Sequence, residues 1–405
     1  ETLLSEGAII HIFGTNFGTA ESKITVRIKG DLDRPGFGVV CPLITNSFQF
    51  SGAEESISCT APLMVGKDVS VILDAAGLEN LNADGNNKVT YFSPIIYSVT
   101  SAKTNGGEAA GMITITGTNF GPAGAIYSQY FTSILLGNIP CNTPVVTETN
   151  SKIECNPSGG VGKDLPVVVT MNNAASTCSP TGNCLFRFFP PKVIGIDPPP
   201  TIGGKVTVYG ENFGPAGTIA NASVYTDQTC VIGITPSSFY GASGCTPVEG
   251  IGKPTAVTVV DHETITFNFP AGFGGNYDLL IEVGNQTSGV SGDNKFGYHV
   301  PVVQNVFPAV QPAALPISDT KITITGTNFG TEESAVKVSV GGRFSDSSTI
   351  RLVNLRSPPY DPGTSEIYVN VPFNAGINLD VKVHVGCLVS VPSTGANRKD
   401  IFSYN

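Results

Sequence analysis

Tryptophan is absent from this 405-residue chain, methionine occurs three times and histidine four times, and charged residues make up only 13%. That charge content is about half the usual share for a soluble globular chain, so Ser, Thr, Asn and Gly must cover much of the surface. Lys and Arg number 22 against 32 Asp and Glu, for a net charge of −10 and a pI near 4.9. Nucleic-acid binding needs clustered cations that displace counterions from phosphates, and this balance excludes it as a partner. No window approaches about 18 consecutive apolar residues, so membrane attachment would need an anchor outside these residues. The chain opens at Glu1 without Met, a basic segment or an apolar segment, as expected of a processed chain or a piece of a longer one.

Chemistry-bearing motifs are scarce too. His11, His262, His299 and His384 stand in separate contexts, and no G-x-S-x-G, H-E-x-x-H or phosphate-loop phrase occurs. Asn80 to Gly85 imitates the start of a calcium loop, but its twelfth position is Tyr91, which cannot supply a bidentate carboxylate. The paired acids Asp31/Asp33 and Glu54/Glu55 read as solvated loops rather than the facing carboxylates of a glycosidase. The expectation is a non-enzyme with no cofactor and no metal.

The chain is rich in turns and in repetition. It holds 47 Gly and 29 Pro beside 40% hydrophobic residues, which suits an all-β chain of three or four domains. One phrase occurs four times: HIFGTNFG, TITGTNFG, TVYGENFG and TITGTNFG, with leading glycines at 14, 117, 210 and 326. The intervals of 103, 93 and 116 residues each suit one β-sandwich. Before each phrase an alternating strand puts Ile10/Ile12, Ile113/Ile115, Val206/Val208 and Ile322/Ile324 on one face. In the phrase itself, Gly and Asn tolerate a sharp exit with positive φ, and the Phe is placed to plug the end of the sandwich.

A second set of strands recurs in register at 69–73, 167–170, 279–283 and 381–385, followed by turns and a closing aromatic strand. Each closing strand runs straight into proline at Ser93-Pro94, Pro190-Pro191 and Val300-Pro301, and an apolar pair then opens the next unit. The expected units are 1–93, 94–190, 191–300 and 301–405, joined without flexible tethers as an elongated semi-rigid rod.

Taken together, the Pro-apolar opening, the G-x-N-F-G phrase and the endings Cys59-Thr60-Ala61-Pro62 and Cys155-Asn156-Pro157 resemble the IPT/TIG (immunoglobulin-like, plexin, transcription factor) family. The resemblance extends over all four units and implies tandem immunoglobulin-like β-sandwiches. The Thr/Ser/Asn-rich, Trp-free composition is similar to that of the Tiger adhesion proteins of social amoebae and like protist surface arrays.

The nine cysteines suggest pairing within units: Cys41–Cys59, Cys141–Cys155, Cys178–Cys184 and Cys230–Cys245, although the four in the second unit admit three connectivities. Such disulfides belong to an oxidising compartment, hence an extracellular or cell-surface location. A zinc reading fails because the Cys spacing does not match and no His is near. Cys387 has no partner within its unit, so it is either a buried free thiol, an intermolecular link or a bridge to residues outside this window. The sequons Asn221-Ala222-Ser223 and Asn285-Gln286-Thr287 are expected to carry glycan.

Loops that differ among units are the expected contact surfaces, since recognition sits on loops held by a rigid scaffold. Tyr127, Tyr130 and Phe131 in the second unit, Phe239 and Tyr240 in the third and Tyr360 in the fourth are the candidates. The leading expectation is cell adhesion through a protein partner, homophilic or heterophilic. The alternatives are a subunit of a filament or coat polymer and a carbohydrate-binding accessory module.

Overall fold

The computed structural model of the chain describes residues 3–18, 23–29, 38–51, 54–80, 87–105, 111–124, 130–226, 254–275, 277–289, 294–312, 320–354, 363–372, 374–393 and 397–404. Among these residues no α-helix forms, and none therefore is long and apolar enough to cross a membrane. The chain divides into two compact units, Glu1–Phe189 and Pro190–Asn405, each holding two copies of the repeat.

In the first unit, strand Ile9–Gly14 pairs antiparallel with Glu54–Thr60, which pairs with Gln49–Ser51. The opposing sheet runs Leu3–Leu4, Lys88–Tyr91, Val69–Ala75, Ile24–Lys29, Val39–Val40. Val26, Ile28, Val71 and Leu73 alternate inward and are buried with Ile10 and Ile57 of the other sheet. The second copy is a single nine-stranded sheet that wraps on itself. Its ten-residue strand Ile139–Glu148 pairs with Phe131–Leu136 at one end and Lys152–Pro157 at the other, with a register shift between Asn142 and Val145. Thr143 sits at φ 49° within that shift, and such a bulge lets one strand serve both layers. The buried residues of both copies merge into one core cluster running from Ile10 to Phe188.

The second unit repeats the plan. In the third copy Lys192–Asp197, Gly204–Glu211, Thr264–Phe269 and Thr255–Asp261 form one sheet, and Tyr277–Val283 pairs with Ala220–Thr226, Gln286–Thr287 and Lys295–Phe296 in the other. The fourth copy has Val302–Phe307, Lys321–Thr327, Thr364–Asn370 and Arg351–Asn354 in order against a six-stranded sheet centred on Leu379–Val385 and Val336–Val340. Strict alternation makes the reason plain: Ile322, Ile324, Ile367 and Val369 point inward while Thr323 and Tyr368 point out. The all-β, immunoglobulin-like sandwich architecture expected from the sequence is the architecture observed.

In the second, third and fourth copies the sheet edge beside the repeat phrase is covered by the copy's own opening strand, Ile95–Val99, Lys192–Asp197 or Val302–Phe307. In the first copy, no strand covers the corresponding edge of Ile9–Gly14 among the described residues.

Candidate functional site

The four-fold phrase is a joint. Asn16, Asn119, Asn212 and Asn328 all adopt left-handed backbone, with φ of 65°, 62°, 63° and 61°. Asparagine tolerates that region, and here its amide has a second task. Asn119 Nδ2 donates to the Ser93 carbonyl at 3.0 Å, Asn212 Nδ2 to Pro190 at 3.3 Å, and Asn328 Nδ2 to Val300 at 3.2 Å. Each acceptor is the residue before the proline that opens the copy, so the amide fastens the entering chain to the turn. Phe120, Phe213 and Phe329 are wholly buried as expected, and their rings lie over Gly117, Gly210 and Gly326. A Cβ on those glycines would meet the carbonyl oxygen of Ile95, Lys192 or Val302 at 2.1, 2.0 and 2.0 Å. Glycine is therefore required by the opening strand and the Phe ring together.

Within each compact unit the two copies are also clamped. In the first, Asn172 is buried, its Nδ2 donates to the Val65 carbonyl at 2.9 Å, and its own carbonyl accepts from the Lys67 amide at 2.9 Å. In the second, hairpin residue Gly386 takes the place of Asn172 and packs on Phe273 and Gly274, while the Thr201 hydroxyl accepts from the Gly330 amide at 3.4 Å.

The cysteines pair as Cys41–Cys59, Cys141–Cys155 and Cys178–Cys184. Cys230 and Cys245 lie outside the described residues. Cys387 corrects the sequence reading of a free or intermolecular thiol, because it is disulfide-bonded within the chain to a partner outside the described residues. Its position supplies the reason. It follows Gly386 in the hairpin that abuts the third copy, and Leu388 packs beside Gly275 there, so a partner outside its own copy is in reach.

No three His, Cys, Asp or Glu side chains gather as a metal set among the described residues. The histidines stand singly: His11 meets Ser58 Oγ at 2.9 Å, His262 meets Glu263 at 3.2 Å, and His384 meets Ser339 Oγ at 3.2 Å. Burial, then the charges of Lys382 and Lys337, push the His384 pKa down to about 4. The Glu55 carboxylate accepts from the Phe17 amide and so belongs to the turn of the first copy.

Of the expected contact aromatics, Tyr130 is only 4% exposed and its carbonyl accepts from the Asn172 amide, which corrects its assignment to a contact loop. Tyr130 supplies core volume next to the clamp instead. Phe131 is half-buried against the same core. Tyr127, Phe239, Tyr240 and Tyr360 lie outside the described residues. Both sequon asparagines are exposed. Asn221 lies on the strand Ala220–Thr226 opposite Glu282, and Asn285 lies in the hairpin turn after Val283, so both stand at one end of one sheet.

The IPT/TIG domain family model matches residues 94–188 and 301–385. Those two regions are IPT/TIG domains. No curated protein matches it. Among solved structures it is similar to the plexin A4 full extracellular region at 12% identity, covering 97% of this chain and 37% of that one with a TM-score of 0.22. It is similar to the surface glycan-binding protein PbSGBP-B from Prevotella bryantii at 13% identity, 64% and 61% coverage and a TM-score of 0.28. It is similar to the ICAM-5 D1–D4 ectodomain fragment at 10% identity, 99% and 97% coverage and a TM-score of 0.21. Likenesses at this level bear on neither partner nor ligand. The chain spans well under half of the plexin A4 structure.

The sandwiches also expose aromatics that loop comparison missed. Phe13 is 70% exposed, Tyr209 45%, Phe307 70% and Tyr368 42%, and all four lie on strands rather than loops. They were legible in principle, because each occupies an outward strand position where the sister copies carry polar residues: Thr116 and Thr325 for Phe13 and Tyr209, Thr100 and Asp197 for Phe307, and Ser58, Glu154 and Thr266 for Tyr368.

Proposed function

We propose that this chain is a non-enzymatic segment of an extracellular or cell-surface protein, organised as IPT/TIG domains 1–93, 94–190, 191–300 and 301–405, and that it works in cell adhesion through a protein partner. The observation that carries the location is the pairing of Cys41–Cys59, Cys141–Cys155 and Cys178–Cys184 inside single sandwiches, since such bonds persist in oxidising compartments. Exposed Asn221 and Asn285 then carry glycan at one end of the third domain. Adhesion follows from many weak edge and face contacts made multivalent by the tandem array.

Sedimentation velocity over a concentration series, with and without reductant, tests this reading together with binding of the labelled chain to its own cells. Concentration-dependent association or saturable cell binding supports it. A monomer at every concentration that binds no cell and no surface protein overturns it.

A further inference from the structure

The outer face of one sheet in the fourth domain is built unlike a bare solvent face. Register places Phe307 opposite Thr323, Thr323 opposite Tyr368, and Tyr368 opposite Arg351, in one row across four strands. The next row is Asn305, Thr325, Glu366 and Val353. Inward neighbours Val306, Ile324, Ile367 and Val369 are buried, which fixes the phase and turns both rings to water. Adjacent strands lie about 4.7–4.9 Å apart, so Phe307 and Tyr368, two strands apart, stand roughly 9.5 Å from each other with only a threonine between.

That arrangement selects a ligand class. A protein interface core needs contiguous apolar surface, and Thr323, Thr325 and Glu366 interrupt any such patch. Sugar rings have the complementary chemistry: an apolar C–H face that stacks on an aromatic ring and a hydroxyl rim that seeks donors and acceptors. In an extended β-linked chain the same face recurs every second sugar, and a disaccharide is close to the span between these two rings. Polar groups border the row where a rim would lie. The Tyr368 hydroxyl donates to Glu366 at 2.5 Å, Arg351 is held by Glu333 at 3.0 Å, and Asn305 lies in the adjacent row. The four strands that carry these residues pair continuously across the face.

We propose that the Phe307/Tyr368 face binds an extended β-linked oligosaccharide, with alternate sugars stacked on the two rings. The site goes beyond the adhesion reading and does not depend on whether the chain also binds a protein.

Isothermal titration of the whole chain with cellohexaose, xylohexaose and chitohexaose, with α-linked maltohexaose as the curved comparator, tests it. At least one β-linked probe binds; Phe307→Ala and Tyr368→Ala each weaken it roughly tenfold, as loss of about 1.4 kcal/mol of ring stacking requires. Ring-retaining Phe307→Tyr and Tyr368→Phe bind like the native chain, and unchanged circular dichroism melting shows that all four variants fold. Binding by none of the β-linked probes, equal binding of maltohexaose, or binding that survives both alanine variants overturns the proposal. Loss of cell adhesion with intact oligosaccharide binding, or the reverse, separates this site from the adhesion reading.

Discussion

Gly210 and Gly195 lie on paired strands of the third sandwich, yet the joint predicts opposite outcomes for the same substitution. In Gly210→Ala the new methyl would stand 2.0 Å from the Lys192 carbonyl oxygen and 2.5 Å from Phe213 Cζ. Neither neighbour is free to give way. The carbonyl belongs to the opening strand, paired across Lys192–Glu211 and Val193–Gly210, and the Phe213 ring is fully buried. Both clashes must be relieved, so the strand shifts, at about 1–3 kcal/mol for overpacking, and the ring is displaced, at about 1.5–3 kcal/mol of lost burial. A combined cost of about 4 kcal/mol lowers the melting temperature of a unit this size by roughly 8–16 °C. At Gly195 a Cβ meets nothing within 4 Å, so Gly195→Ala stays within about 0.5 kcal/mol of the native chain. Differential scanning calorimetry of both variants decides the matter. A Gly210→Ala melt within two or so degrees of native, or an equal fall for Gly195→Ala, would refute the account of the joint.

Stability of the fourth sandwich should fall with acid through His384: its pKa is about 4 folded and near 6.5 unfolded, so the unfolded state takes the proton first between those values. The loss starts below about pH 6.5, is complete below about pH 4 and approaches 3 kcal/mol; melts across that range should flatten in His384→Gln. Asn172→Ala removes the buried amide at Val65 and should cost about 1–3 kcal/mol, splitting the unfolding of the first unit into two calorimetric transitions. Peptide mapping without reduction should find Cys387 joined to Cys230 or Cys245, since the other six cysteines are bonded to one another; Cys387 alkylated by iodoacetamide in the native, unreduced chain would contradict this.

Much of the fold was legible because it rests on local periodicity. The alternation at Ile113/Ile115 or Ile322/Ile324 names the buried face directly, and the phrase G-x-N-F-G announces a left-handed exit and a buried ring. What escaped depends on contacts distant in sequence. That Asn119 reaches the Ser93 carbonyl, 26 residues back, leaves no mark in composition. Tyr130 reads as a surface aromatic among small polar residues until the hairpin bearing Asn172 closes over it. Phe307 and Tyr368 are 61 positions apart and become neighbours in a row only when register is set through Thr323.

The joint also bears on how such a chain could lengthen. Its acceptor is a main-chain carbonyl, supplied by Ser93, Pro190 or Val300 with no common side chain. Its donor is carried by the incoming repeat. A copied repeat inserted after any other brings a working fastener with it, and the upstream neighbour needs no matching substitution. Arrays of this kind can therefore grow or shrink by whole units while every new seam is correctly tied from the first generation.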